Sequence, residues 1–382
     1  MRKLLFCACI LLATPVLATG LGAASVTESK LLDVWEKIPL GGETLCSDGS
    51  EYAIYYQEGK SDNLHIFFGP GGTCWDEDTC NRPIHWQQES RALTAEDGAY
   101  YADALNMNEE VFQTGIFRTE NPKNPFKDWS KLMISYCSAD VHIGHIEHQY
   151  KMPNGETRLI THRGKVNVDA ALNYLQKNYK QNPEKVLVSG ESAGGFASIF
   201  YLPRIAEMFK NSKIYQLSDG NIIATERSIE IVEAWGVDSE KAFGFKITNN
   251  ITKDAYLYSL ELFKNNPRIT MLQQNTTFDE TMIKFQSWVL RDKVTDAVKA
   301  RWHQDMIYAK KHLKSVSNDN YFFYISECGK NQETKTTAHC LEWNDIYYEC
   351  SEEGTFFYKW LDDIINKERK YDVGSSYLPT SL

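Results

Sequence analysis

The chain has 382 residues, 42% of them hydrophobic and 24% charged, proportions that exclude a collagen-like or largely disordered chain. A mean hydropathy of −0.44, with the only long apolar run at the N-terminus, excludes a polytopic membrane protein. A formal net charge of −10 without a local basic patch argues against nucleic acid or an anionic membrane surface as partner.

Taken in chain order, the first segment reads as an export address. Arg2 and Lys3 supply a positive stretch, residues 4–12 an apolar one, and Val16-Leu17-Ala18 a small-residue cleavage site. The expectation is a signal peptide over residues 1–18, with Ala24 as the second-choice cleavage point. One catalytic domain then covers residues 19–382, and the mature protein is secreted or periplasmic without stable membrane insertion. Cleavage removes Cys7 and Cys9. It leaves Cys46, Cys74, Cys80, Cys137, Cys328, Cys340 and Cys350, an odd set that an oxidising compartment should pair except for one.

Beyond the leader, short apolar runs at residues 64–68, 132–136, 185–189, 214–217, 269–272 and 321–325 read as strands. Periodic windows at 166–179, 195–209, 254–264, 282–315 and 356–366 read as helices. Their alternation predicts an α/β fold with a doubly wound, mostly parallel sheet and helices on both faces. The stretches 73–104 and 327–345 are long, polar and aromatic, and loops of that length in a compact domain are usually functional.

Gly190-Glu191-Ser192-Ala193-Gly194 matches G-x-S-x-G between a strand-like run and a helical one, the setting that exposes a serine hydroxyl on a strained turn. A nucleophile there needs backbone N–H donors for the developing oxyanion. Ala193 supplies one, and the loop Gly69-Pro70-Gly71-Gly72-Thr73, directly after the strand 64–68, can supply the other. The order serine, acid, histidine along such a fold makes Asp279 the candidate acid, with Asp219 as competitor. After Ser192 the only histidines are His303, His312 and His339. The first two fall in a helical window among charged neighbours, so His339, in the loop after 321–325, is the candidate base.

Together these segments resemble the pectin acetylesterase / Notum family of ester hydrolases. The similarity rests on Cys46-Ser-Asp-Gly-Ser50, Gly71-Gly72-Thr73-Cys74-Trp75 with Cys80, Tyr136-Cys137-Ser-Ala-Asp140-Val141, the Ser192 motif and the region around Asp279. It is nearest to bacterial-type members, which carry a stretch like His162-Arg163-Gly164. The resemblance implies an α/β-hydrolase fold and a Ser192–Asp279–His339 triad. It also implies oxyanion donors at Gly71, Gly72 and Ala193, and the disulfides Cys46–Cys137 and Cys74–Cys80. The pair among Cys328, Cys340 and Cys350 stays open. Two features depart from the family pattern: Thr73 rather than Trp precedes Cys74, and a polar insert, 329–338, separates Cys328 from His339.

The implied function is a secreted serine ester hydrolase that removes O-acetyl groups from a polysaccharide, without a cofactor. Its partner is thus an acylated carbohydrate or another ester. Three alternatives stand beside it: a deacylase acting on a longer acyl chain of lipid or protein, a non-catalytic carbohydrate-binding protein on a hydrolase fold, and a metal-dependent hydrolase. The last draws on His142, His145 and His148, which lie with Asp140 and Glu147 within nine residues and offer zinc-type ligands, though not at H-E-x-x-H spacing.

Overall fold

A computed structural model describes residues 34–80, 112–152, 155–222, 227–248 and 250–379. The expected signal peptide and most of the loop 73–104 lie outside the described residues. Eight strands build the central sheet: β1 Glu36–Pro39, β2 Ala53–Gln57, β3 Leu64–Phe68, β4 Ser130–Ile134, β7 Lys185–Glu191, β8 Lys213–Asp219, β9 Ile269–Thr276 and β10 Tyr321–Ser326. Between β4 and β7, strands β5 Ile146–Lys151 and β6 Thr157–His162 form a separate antiparallel hairpin. The order across the sheet is β1-β2-β4-β3-β7-β8-β9-β10. Only the β1–β2 and β2–β4 pairs are antiparallel, and the remaining pairs are parallel.

Burial on both faces explains why the central strands read as unbroken apolar runs rather than alternating ones. Leu64, Ile66 and Phe68 of β3, with Val186 and Val188 of β7, enter one core beneath helices Gly164–Asn178, Ala193–Phe200, Ile251–Phe263, Glu280–Leu290 and Asp296–Val316. Phe67, Leu187, Leu217 and Leu272 point the other way, into a core capped by helix Phe357–Ile365. That helix buries Phe357, Trp360, Leu361, Ile364 and Ile365, the i, i+3, i+4, i+7, i+8 stripe of an amphipathic helix.

Two expected helices are each divided. The window 282–315 breaks where Arg291 adopts the left-handed conformation (φ 53°) and Thr295 caps the next helix through Val298 N. The window 195–209 breaks at Tyr201, and Pro203 sits in the first turn of the second helix, Leu202–Met208, where its missing N–H costs nothing. Strand β1 and the β5–β6 hairpin carry few apolar residues, and β2 Ala-Ile-Tyr-Tyr-Gln is short, so none of them stands out in the sequence. Cys46–Cys137, Cys74–Cys80 and Cys328–Cys350 are disulfides, and among the described residues Cys340 is the buried free thiol. Among the described residues no helix is long and apolar enough to cross a membrane.

Candidate active site

In an open parallel sheet the crevice for a ligand lies beyond the C-terminal strand ends, and the candidate residues gather there. Ser192 follows β7 directly and precedes helix Ala193–Phe200, with φ 51° and ψ −116°. This positive-φ backbone is uncommon for a residue with a side chain and marks local strain. Its N–H donates to the Asp219 carbonyl at the end of β8, at 2.7 Å. The turn closes only because its neighbours lack side chains. A Cβ on Gly194 would land on the carbonyl of Phe68, and one on Gly190 would land on Gly194 itself.

The same closeness brings the nucleophile turn against Phe68 and Gly69, where the glycine-rich loop begins. Gly71 lies on the ring of Tyr136 with no room for a Cβ. Ala193, the first residue of its helix, has an N–H without an intrahelical acceptor, so it is available to an anion.

Asp279 and His339 meet across the site. The imidazole Nδ1 lies 2.9 and 2.8 Å from the two Asp279 carboxylate oxygens. Asp279 is fully buried and also caps helix Glu280–Leu290, its Oδ1 accepting from Met282 N at 2.9 Å. A one-residue parallel bridge joins Asp279 to Thr337, two residues before the histidine. Burial alone would lower the His339 pKa. The charge and hydrogen bonds of Asp279 outweigh it and raise the pKa above the ordinary histidine value. The imidazole reaches the strand end that also holds Ser192: a Cβ on Gly220 would stand 3.2 Å from His339 Cε1. Its Nε2 lies 3.5 Å from Cys340 Sγ and makes no hydrogen bond to Ser192 Oγ, a contact that often tightens only when substrate is present.

The competing acid has other partners. Asp219 Oδ2 accepts from the backbone N–H groups of Leu341 and Glu342 at 2.7 and 2.8 Å, and Asp219 touches no imidazole nitrogen. Burial pushes its carboxyl up to about 8, and likewise Glu342 up to about 8 and Glu191 well above its usual range. His303, the other candidate base in reach of this edge, gives its Nδ1 to Thr277 O at 2.6 Å and stacks on Phe278.

The histidine cluster is dispersed. His142 is buried, with Nε2 2.9 Å from the Gly69 carbonyl, and burial pushes its pKa down to about 4. His145 and His148 are exposed, the latter packed beside Tyr150 with ring centroids 4.4 Å apart. Asp140 is spent on Ser138 Oγ, His142 N and Gly164 N at 2.6, 3.1 and 2.7 Å. Among the described residues, two sets of ligand atoms converge closely enough for a metal, and neither includes this cluster: Cys74, Cys80 and His162; and Glu191, Asp219 and Cys340. In the first the thiols are joined in a disulfide. In the second, backbone N–H groups point at the carboxylates, an arrangement that suits anions. The metal-hydrolase alternative therefore loses its ligand set.

What the sequence did not reveal is the support of this site. Ala139, Val141 and His142 all have left-handed φ, at 57°, 47° and 67°, a strained run held by Tyr136 OH on Val141 N at 3.0 Å and by the His142–Gly69 bond. The loop so formed fixes the start of the glycine-rich segment. The Asp140-Val-His142 motif pointed to the place without saying what it does.

A mostly parallel sheet with a strained serine after one central strand and a carboxylate-bound histidine beyond two later ones defines a protein of the α/β-hydrolase class. The comparisons with known proteins narrow it: the chain matches the pectinacetylesterase family over residues 40–236 and belongs to that family. It is 25% identical to Pectin acetylesterase 4 of Arabidopsis thaliana over 183 residues, covering 47% of this chain and 41% of that protein. The chain thus aligns with less than half of that relative's length. The family match includes the glycine-rich loop and Ser192 and stops before Asp279 and His339.

Proposed function

We propose that this protein is a secreted serine carboxylic ester hydrolase that removes O-acetyl groups from a polysaccharide, built as one catalytic domain behind a cleaved signal peptide. The observation that carries the reading is the Asp279–His339 pair, 2.8 Å apart, beside the strained turn of Ser192. Family membership supports the ester, the relative's printed name supports an acetylated pectin-like substrate, and three disulfides support an oxidising compartment.

In the proposed cycle, Ser192 Oγ attacks the acetyl carbonyl while His339 Nε2 takes its proton. Asp279 holds Nδ1–H and stabilises the imidazolium that forms. The N–H of Ala193 and those of Gly71 and Gly72 receive the oxyanion. Collapse breaks the ester bond, and the sugar hydroxyl leaves with the proton from Nε2. Water, deprotonated by the same nitrogen, then attacks the acetyl-enzyme, and acetate leaves as Ser192 regains its proton. The free sugar hydroxyl and one acetic acid, which gives its proton to solvent to become acetate, account for all atoms of ester and water.

Ser192→Ala should lower kcat on p-nitrophenyl acetate by roughly 10⁴-fold or more while leaving the fold intact. Wild type should release acetate from acetylated pectin and acquire a stoichiometric phosphonyl group on Ser192 from a fluorophosphonate. A folded Ser192→Ala variant with near-wild-type turnover refutes the serine mechanism. Turnover of the nitrophenyl ester without acetate release from any acetylated polysaccharide refutes the substrate class.

A further inference from the structure

We propose that Asp219 is a positioning residue that fastens the segment carrying the catalytic base to the nucleophile turn. The proposal rests on the Ser192–Asp279–His339 reading.

The problem it solves is visible in the chain. Between β10 and His339 lies the polar insert 329–338, so the base sits at the end of a long excursion. A flexible loop of this length has conformational freedom that must be lost before a base can be held to within the tolerance catalysis requires. The Asp279–Thr337 bridge ties the near side of the histidine. The far side is tied by carboxylates. Asp219 Oδ2 accepts from Leu341 N at 2.7 Å and Glu342 N at 2.8 Å, and Glu191 Oε1 accepts from Trp343 N at 2.5 Å. Three successive amides after Cys340, itself left-handed at φ 60°, therefore point at the ends of β7 and β8. The Glu342 side chain continues inward, its Oε1 accepting from Ser189 Oγ of β7 at 2.6 Å.

Asp219 occupies the junction of this arrangement. Its main-chain oxygen holds Ser192 N at 2.7 Å, and the free thiol of Cys340 lies 3.5 Å from that same oxygen. One residue thus grips the nucleophile through its backbone and the base's segment through its side chain. It is fully buried, and it stands opposite Glu191 and Gln274 in the sheet register.

The geometry also says what kind of group is needed. A single oxygen, Oδ2, receives both amides, while Oδ1 has no partner. An oxygen acceptor suffices and a negative charge is not required, which agrees with a carboxyl that burial pushes up to about 8. Asparagine can place its carbonyl oxygen where Oδ2 now lies. An acid of the triad could not be replaced in this way.

The experiment compares Asp219→Asn and Asp219→Ala with Ser192→Ala and Asp279→Asn on p-nitrophenyl acetate, with folding checked by near-ultraviolet circular dichroism. Asp219→Ala should lose about 100-fold in kcat with KM changed no more than about threefold, the signature of a misplaced catalytic group rather than lost binding. Asp219→Asn should restore kcat to within about fivefold of wild type, and its acid limb should move down less than that of Asp279→Asn, because Asp279 holds up the His339 pKa more strongly than Asp219 does. A folded Asp219→Asn as inactive as Asp279→Asn overturns the proposal, as does a folded Asp219→Ala with wild-type kcat. Should Asp219→Ala not fold, hydrogen exchange of the wild type decides. Slow exchange at Leu341 and Glu342 supports the clamp, and exchange at free-loop rates overturns it. Activity in Ser192→Ala or Asp279→Asn would instead refute the triad reading, whatever Asp219 does.

Discussion

Asp279→Asn isolates the electrostatic part of the proposed triad from its structural part, because Asp279 does two jobs with two oxygens. Oδ1 caps helix Glu280–Leu290 through Met282 N at 2.9 Å, and both oxygens face His339 Nδ1. Asparagine is as good a helix cap as aspartate. With the amide oxygen kept on Met282 N, the amide nitrogen faces the imidazole and donates to Nδ1. The ring proton is then forced onto Nε2, the atom that must accept from Ser192. The expected loss in kcat is about 10⁴-fold, about 5.4 kcal/mol of transition-state stabilisation. The melting temperature should move by only a few degrees, since the cap and the Thr337 bridge remain.

The pH profile gives a second readout. His339 works as a base only when neutral, and Asp279 raises its pKa. Wild-type kcat/KM should therefore fall as pH drops through a value above the ordinary 6.5. Removing the charge should shift the acid limb of the residual activity downward. The assay is steady-state hydrolysis of p-nitrophenyl acetate from pH 5 to 9, alongside thermal melts. A folded Asp279→Asn within tenfold of wild-type kcat, or an acid limb that stays in place, would refute the assignment.

Other outcomes follow from the same geometry. His142→Ala removes the bond to the Gly69 carbonyl and should lower kcat by roughly tenfold through a loosened oxyanion loop, whereas His145→Ala, at an exposed position, should leave kcat unchanged. The reverse ranking would return attention to the histidine cluster. Gly194→Ala drives a Cβ onto the Phe68 carbonyl, so it should destabilise the fold by about 2 kcal/mol or more, seen as a lower urea midpoint, and an unchanged midpoint would contradict the packing of the elbow.

The parts of this protein that were legible in its sequence are those set by local rules. Strands β3, β7, β9 and β10 are buried on both faces. Strands β7 and β10 therefore appear as apolar runs, β3 as one broken only by His65, and β9 as a run over 269–272 alone, because its second half buries the polar Gln273-Gln274-Asn275-Thr276. The elbow showed itself because only glycine tolerates its close approaches. The pairing of His339 with Asp279, seen at 2.8 Å, was reached through strand order and the scarcity of histidines. Strands β1 and β2 were missed because β1, Glu-Lys-Ile-Pro, has a single buried side chain, and β2 follows too closely on a polar turn to stand out. The β5–β6 hairpin was overlooked even though Asn154-Gly155 is a strong hairpin dipeptide. The carboxylate clamp was illegible for a different reason. Asp219 and Leu341 are 122 residues apart, and the acceptors bind backbone amides, which leave no trace in side-chain identity.

The disulfides separate stability from catalysis in a way that can be measured. Cys46–Cys137 closes a stretch of 91 residues and Cys328–Cys350 one of 22. Chain-entropy arguments give the larger loop about 4.6 kcal/mol and the smaller about 3.4 kcal/mol of stabilisation. Stability alone therefore predicts that losing Cys46–Cys137 does more harm. Catalysis should rank them the other way, because His339 lies within the smaller loop. Without the Cys328–Cys350 staple, the segment between β10 and the carboxylate clamp regains freedom that is restrained by the Asp279–Thr337 contacts, the clamp, and hydrogen bonds from Thr276 Oγ1 to Ala338 O and from Lys299 Nζ to Thr334 O. The paired substitution Cys328→Ser with Cys350→Ser should lower kcat by about tenfold or more at a temperature where the protein remains folded. Cys46→Ser with Cys137→Ser should lower the urea midpoint further and leave the kcat of the folded fraction near wild type. Equal kcat values for the two double variants, both measured well below their melting temperatures, would mean that the clamp alone fixes the base and the staple contributes nothing to its placement.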